Sequence, residues 1–420
     1  VQLLDSHDRA AHPELAPHFM QLHSKGGEPP EREEDENPGP ALALALLRDA
    51  IDHRATDIHI DPCDNHALIR FRIDGALANT VAMPPSAYQR LINQFRILCQ
   101  VDPTELRVQD GSWSGTLQDR EIHVRATFVP TVSGEKLAVR VLDQSLSHLH
   151  LHEVGLFAEA ITTIDRHIYS PAGLVLVAGP TGTGKSVTLF SLLNEIDQET
   201  HSVVTLEDPV EYRNPAFTQV EVSESLGIDF SNGIGTLLRL DPDYLLIGET
   251  RDPTTATAVL RAANSGRAVL TSIHAEDAEG AISSLRNWSL DDREIASALR
   301  LVIAQRLVRQ LCSLCTSYGK PDEVDQRWAQ SRQIELPAEV PVANGCDECF
   351  GLGFRGRTGL FEVWELNEEQ IDAIGSGAHA RELRSLRRQA GTATMAQTAM
   401  EKVRAGVTTV GELRRAALPS

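Results

Sequence analysis

The chain has 420 residues, enough for two or three domains that each bury a core of their own. Lys and Arg number 39 against 59 Asp and Glu, a formal net charge of −20, which argues against a binder of nucleic acid or anionic membrane working through its bulk field. No run of about 18 apolar residues occurs, so nothing is expected to span a bilayer, and no secretory leader opens a sequence that begins, as a truncated chain would, at Val1 rather than Met.

Residues 1–25 carry a weak helical pattern, and GGEPPEREEDENPGP follows over 26–40. Pro, Gly and Glu at that density cannot bury enough apolar surface to order themselves, so residues up to 40 read as a flexible acidic linker, with a partner-binding acidic tail as the alternative. ALALALLRDAIDHRA predicts a helix of good formers, and ALIRFRIDGALANTVAM predicts a hairpin of two alternating runs about Asp74-Gly75. A helix over SAYQRLINQFRILC and strands over REIHVRATFVP and EKLAVRVLD complete a small α+β domain, 41–147. Then the strands become apolar on both faces and alternate with helices: GLVLVAG, SVVTLED, YLLIGET and AVLTSIH. Such strands imply a parallel sheet covered on both sides, here 148–311. Residues 358–420 read as charged and helical, and no internal repeat is evident.

GPTGTGKS occupies Gly179, Pro180, Thr181, Gly182, Thr183, Gly184, Lys185 and Ser186, with Val187 next. Its glycines let backbone N–H groups close around phosphate oxygens, and the helix that follows adds its dipole. Lys185 is expected to reach the β- and γ-phosphates of ATP, and Ser186 to ligate Mg²⁺. A chance match on a surface loop would lack the buried strand before it and the helix after it. YLLIGETRD places Glu249 at a strand end, where a carboxylate can orient the attacking water. VVTLEDPVEY places Glu207, Asp208 and Glu211 at another strand end, and LTSIHAED places His274 at a third. Open parallel sheets bind ligands at the carboxyl ends of their strands, so these groups are expected to converge on the Mg²⁺ and γ-phosphate. Any one acid alone would read as a solvated loop carboxylate. A lone histidine is usually structural, and the position of His274 equally suits a γ-phosphate sensor.

The six cysteines are Cys63, Cys99 and two Cys-x-x-Cys pairs, Cys312/Cys315 and Cys346/Cys349. Two knuckles can bring four thiolates into a tetrahedron, a closed structural Zn²⁺ site within 312–357. A redox pair or four free thiols are the alternatives, both poorer because the knuckle recurs. Cys63 and Cys99 read as buried structural thiols.

The phosphate loop together with TLEDPVEY, LRLDPDYLLIGETRD and TSIHAEDA resembles the secretion ATPases of type II secretion and type IV pilus assembly, the GspE/PilB superfamily, as their Walker A, Asp box, Walker B and His box. RATDIHIDP, FRIDG, VQDGSW, PTVSGEKLAVRVLD and GRTGLFEVWEL extend the resemblance to roughly 41–415, and GRTG tilts it towards the type II branch. The resemblance implies an α/β fold class: a RecA-like P-loop ATPase core joined by a short linker, around 143–153, to a PAS-like N-terminal α+β domain, with a tetracysteine zinc subdomain and a helical C-terminus. It implies a cytoplasmic homo-hexamer using ATP, Mg²⁺ and Zn²⁺, peripheral to the inner membrane through secretion or pilus platform proteins, and no nucleic-acid partner. Residues 1–25 would be a remnant of the region that docks on the membrane partner. The tetracysteine element sets the chain apart from the retraction ATPases of the same superfamily.

Arg125 in HVRATF and Arg140 in LAVRVLD would ordinarily be a basic stripe on a sheet face. The resemblance places them instead where the N-terminal domain projects arginines onto the nucleotide; Arg261 and Arg267 are weaker candidates. In FSNGIGTLLRLDPD, Gly235 stands where the family usually has an arginine and Leu240 where it has a glutamine, and Val187 replaces a threonine. The expected function is therefore an ATP hydrolase that powers pseudopilus or pilus assembly for protein secretion. The alternatives are a type IV pilus assembly ATPase proper and a low-turnover nucleotide-binding scaffold.

Overall fold

The computed structural model describes residues 40–105, 107–169 and 172–418; the helical pattern over 1–25 and nearly all of the acidic stretch lie outside them. The chain forms two compact units.

The first gathers residues 40–145 with Cys312–Thr316 and Ala343–Gly356, so both tetracysteine segments group with the N-terminal α+β elements. Helix α1 (Ala41–Asp52) leads into β1 (Ala55–Pro62), β2 (Ala67–Ile73) and β3 (Ala76–Met83); α2 (Pro85–Leu98) precedes β4 (Gln109–Leu117), β5 (Arg120–Thr131) and β6 (Gly134–Asp143). The six strands make an antiparallel sheet in the order β3-β2-β1-β6-β5-β4. Period-2 alternation sends Ile58, Ile60, Ile69, Phe71, Val124, Phe128, Leu137 and Val139 to one face, where Leu46 and Leu47 of α1 and Leu91 and Phe95 of α2 cover them. The hairpin turns where expected, with Asp74 and Gly75 both left-handed (φ 47° and 81°), as a two-residue I′ turn requires. Strand β4 escaped the sequence reading because QDGSWSGTL offers glycine and serine where apolar alternation should be. Its glycine is the explanation: a Cβ on Gly111 would lie 2.6 Å from the Cys99 carbonyl oxygen. Cys99 is buried, and burial pushes its thiol up to about 12, whereas Cys63, expected to be buried too, is half-exposed just beyond β1.

The second unit comprises 146–311, 317–342 and 357–418. In chain order it holds α3 (Ala158–Ile168), β7 (Gly173–Ala178), α4 (Lys185–Asn194), β8 (Val203–Glu207), β9 (Thr218–Glu221), α5 (Phe230–Leu237), β10 (Tyr244–Thr250) and α6 (Pro253–Asn264). Then come β11 (Ala268–Ile273), α7 (Ala278–Asn287), α8 (Asp292–Ala298) and β12 (Leu299–Leu311). A two-stranded ribbon of β13 (Thr316–Gly319) and β14 (Val340–Ala343) brackets α9 (Glu323–Ser331), before β15 (Phe354–Glu365), α10 (Glu368–Gly375), α11 (Ala380–Gln389), α12 (Met395–Arg404) and α13 (Val410–Arg415). The main sheet has the order β15-β12-β7-β11-β10-β8-β9, and the four expected strands pair in parallel. Alternate residues of one strand feed opposite cores: Leu174 and Leu176 of β7 enter one cluster, Val175 and Val177 the other. That is the covered parallel sheet that continuous apolar strands require.

Two strands go beyond the sequence reading, one that it left unassigned and one within the stretch it took as helical. LRLVIAQRLVRQL is rich in helix formers, yet pairing with β7 makes it β12, a case of tertiary contact overriding propensity. The charged C-terminal stretch is helical only from Glu368, because TGLFEVWE first completes the sheet as β15 and buries Trp364. The helices beyond are held by buried charge: Arg387 of α11 bridges Glu279 of α7 (2.9 Å) and Glu362 of β15 (3.0 Å).

Glu412 of α13 anchors β12, accepting from the Arg309 backbone N–H (2.9 Å) and guanidinium (2.7 Å) and from Arg415 (2.9 and 2.7 Å). Burial alone would raise its carboxyl, but these donors outweigh burial and hold it at about 2 against an ordinary 4.5. A depressed carboxyl contributes stability that is present above about 4.5 and lost as pH falls towards 2. Glu412→Gln is therefore expected to destabilise this unit by roughly 3 kcal/mol at pH 7. The gap from wild type in urea unfolding should narrow as pH falls from 5 to 3, to be followed at about pH 7, 5 and 3; a gap independent of pH would contradict the assignment.

Candidate active site and metal centre

Parallel register brings the strand ends to one edge. Ile247 of β10 lies opposite Leu206 of β8, Thr250 opposite Ile273 of β11, and Ile273 opposite Ala178 of β7. Glu249, Asp208, His274 and Gly179 therefore emerge side by side, as a ligand site at strand carboxyl ends requires.

The phosphate loop turns from β7 into α4 through left-handed Gly182 and Gly184 (φ 77° and 84°). A Cβ at Gly182 would meet nothing within 4 Å, so the loop's concave side is open backbone. The Lys185 ammonium donates to the Gly179 and Pro180 carbonyls at 2.9 and 3.1 Å. Burial lowers its pKa and the neighbouring Glu249 opposes that shift. Thr183 Oγ1 donates to Pro180 O at 2.9 Å, and Gln305 of β12 donates from Nε2 to Thr183 O at 2.6 Å, buttressing the loop from below. Thr181 is exposed, while Ser186 and Val187 are half-buried in the first turn of α4.

Glu249 is the hub of the charged groups. Arg251 forms an ion pair with its Oε1, and His274 Nε2 lies 3.6 Å from its Oε2. Arg251 also stands 4.0 Å from Asp208, which links β10 to β8. Burial and Lys185 push His274 down towards the neutral imidazole, against the pull of Glu249. Glu207 is buried and held by Thr205 Oγ1 (2.7 Å) and Gln219 Nε2 (3.1 Å), and burial raises its carboxyl. Glu211 and Glu221 act in the same direction.

Arg125 and Arg140 face each other directly across β5 and β6, on the sheet face opposite the helices of the first unit. Asp57 of β1 sits beside Arg140 in the same row, 3.5 Å from its Nε, and Arg72 follows at 3.7 Å. Arg267 pairs with Asp241 (2.7 Å) at the amino end of β11, away from the phosphate loop, and Arg261 lies exposed in the last turn of α6. Gly235 is inside the formed helix α5, whose Asp229–Asn232 capping box is complete, and a Cβ there would meet open space. Leu240 is half-exposed. Gly235 is thus part of an intact helix.

Arg251, Gln305 and Asp57 were not singled out from the sequence. Arg251 could have been: residues two apart on a strand share a face, and Glu249 and Arg251 are so spaced at the end of β10. Gln305 gave no signal, since β12 itself was not read from the sequence.

The four cysteines of the knuckles place their Sγ atoms within 4.8 Å of one another. The Cys312–Cys346 and Cys315–Cys349 separations are 3.8 Å, and Cys346–Cys349 is 3.7 Å. A tetrahedral zinc with bonds of about 2.3 Å demands sulfur separations of about 3.8 Å, so the donor set fits that ion. The Cys346 and Gly353 N–H groups donate to Cys349 Sγ, each at 3.2 Å. Burial opposes ionisation of that thiol, but these donors prevail and bring it to about 7.

Residues 32–415 match the family described as Type II/IV secretion system protein. The chain is 35% identical over 372 residues to the type II secretion system protein HxcR of Pseudomonas aeruginosa, covering 88% of this chain and 76% of that protein. It is 33% identical over 392 residues to the type IV pilus assembly ATPase PilB of Myxococcus xanthus, covering 90% of this chain and 68% of the other. In fold it is similar to the crystal structure of the Legionella pneumophila ATPase DotB, with a TM-score of 0.67 at 20% identity over 93% of this chain and 97% of that one.

Proposed function

Because the chain belongs to the type II/IV secretion system protein family, we propose that the sheet edge holding Lys185 and Glu249 hydrolyses ATP to drive pseudopilus assembly for type II secretion. The protein is an ATPase of the secretion and pilus-assembly class. The observation that carries the site is the convergence of Lys185, Glu249, His274 and Asp208 beside an open loop of backbone N–H groups.

Each role follows from the chemistry of its group. The loop amides and Lys185 neutralise the β- and γ-phosphate oxygens, where charge develops in phosphoryl transfer. Ser186 would hold Mg²⁺, which would supply positive charge against the phosphate oxygens. Glu249 orients the attacking water and takes its proton, with a lone pair that must come within hydrogen-bond reach. A neutral His274 can donate to a phosphate oxygen and report its presence. Glu207, Asp208 and Glu211 supply the carboxylates flanking the metal position. Arg125 and Arg140 deliver cations to the transferring group from the first unit, in a homo-hexamer seated on inner-membrane platform proteins at the cytoplasmic face. Among the described residues no helix is long and apolar enough to cross a membrane. Cys312, Cys315, Cys346 and Cys349 would hold one zinc ion, closing the lobe and leaving no position open for catalysis.

Phosphate release by the full chain at saturating Mg·ATP tests the site. Lys185→Ala is expected to lose nucleotide affinity and turnover together, and Glu249→Gln to lose turnover by on the order of a hundred-fold or more while still binding nucleotide. Wild-type release no faster than that of Lys185→Ala would favour the scaffold reading instead.

A further inference from the structure

We propose that Arg251 is a positioning residue that clamps Glu249 and thereby restrains hydrolysis until its guanidinium transfers to Asp208. The inference rests on Glu249 being the proton acceptor argued above. Oε1 of Glu249 is engaged by Arg251, and Oε2 faces His274 at 3.6 Å. A general base needs a lone pair aimed at the water within about 3.2 Å, and a guanidinium ion pair occupies that lone pair. The clamp is therefore an off position for the water-activating group.

The same guanidinium has a second berth in place. Asp208 Oδ2 lies 4.0 Å from Nη1, on the neighbouring parallel strand. The Arg251 side chain is 57% exposed and the Asp208 side chain 44%, so a rotation of exposed groups moves the cation from one carboxylate to the other with no backbone change. Glu249, at 18%, stays where β10 holds it. A competing cation brought to Glu249 tips the balance, so the clamp would keep the isolated subunit slow and release it once the site is assembled.

The test is the direction of change in turnover. Arg251→Gln removes the ion pair at an exposed position and leaves the strand intact. A partly exposed ion pair is worth up to about 1 kcal/mol, so its loss should raise the basal kcat of the full chain about five-fold, with KM for ATP within about two-fold of wild type and an unchanged melting temperature. Arg251→Lys, which keeps the charge but cannot fork across two carboxylates, should fall between. Glu249→Gln combined with Arg251→Gln should be as slow as Glu249→Gln alone. An unchanged or reduced kcat in Arg251→Gln overturns the clamp, and a reduced kcat with a raised KM would make Arg251 a phosphate ligand instead. If Glu249→Gln itself turns over at the wild-type rate, the base assignment has failed and the clamp fails with it. If Glu249→Gln is slow and Arg251→Gln is not faster than wild type, only the clamp has failed.

Discussion

Arg140→Ala is expected to lower ATP turnover by about a thousand-fold while leaving nucleotide affinity nearly unchanged. Two arginines directly opposite on neighbouring antiparallel strands repel, and such a pair ordinarily destabilises a sheet. Asp57 lies 3.5 Å from Arg140 and 3.7 Å from Arg72. An arginine row on the sheet face opposite the helices of its unit suits a polyanion whose charge rises in the transition state. Removing Arg140 relieves the repulsion on Arg125, so the variant should melt no lower than wild type by more than a degree or two. The subunit that supplies the cation can be found by mixing. Arg140→Ala chains keep an intact phosphate loop, and Lys185→Ala chains keep an intact arginine row. If the row serves a neighbour's nucleotide, mixed hexamers regain turnover that neither variant shows alone. A wild-type rate for Arg140→Ala under assembly conditions would end the proposal, and failure of the mixture to recover would place the arginine within its own chain.

How far the sequence could be read follows from where its signals are local. The phosphate loop, the hairpin at Asp74-Gly75 and the four core strands are each specified by residues adjacent in the chain, and each lies where expected. β12 and β15 are strands because β12 pairs with β7 and β15 with β12, and that is a property of the sheet, not of LRLVIAQRLVRQL. The same holds at the site. Lys185 and Glu249 were legible from position alone, but the ion pair of Arg251 with Glu249, and its reach to Asp208, depend on β8 and β10 being neighbours. Gln305 under the phosphate loop depends on β12 lying beside β7. Composition could not reveal that the cysteine segments group with the N-terminal elements, because the whole parallel-sheet stretch lies between them in the chain.

That grouping makes zinc removal the sharpest test of the first unit. The lobe that carries the four cysteines has almost no core of its own. Phe350 stacks on His53 with ring centroids 4.3 Å apart, and the Asp74 carboxylate of the hairpin turn accepts the Gly356 N–H at 2.9 Å. Its backbone is held by close approach: a Cβ on Gly345 would lie 2.8 Å from the Gly351 carbonyl carbon, and both residues are left-handed (φ 88° and 75°). A loop with so little buried apolar surface and so constrained a backbone needs another source of free energy. Four thiolates closing on zinc supply on the order of 10 kcal/mol in small domains. Stripping the ion with a chelator, or replacing Cys349 with serine, should therefore raise amide exchange across 343–356 by a hundred-fold or more. The Asp74–Gly75 turn should loosen with it, because its carboxylate loses the Gly356 N–H. Affinity for nucleotide should stay within about two-fold, since Lys185 and the loop amides belong to the other unit. Metal analysis should find one zinc per chain before stripping and four newly titratable thiols after. Protein purified without zinc and already showing four free thiols, with 343–356 as protected as the strands, would rule out the metal; nucleotide affinity falling in step with zinc would rule out the independence of the two units.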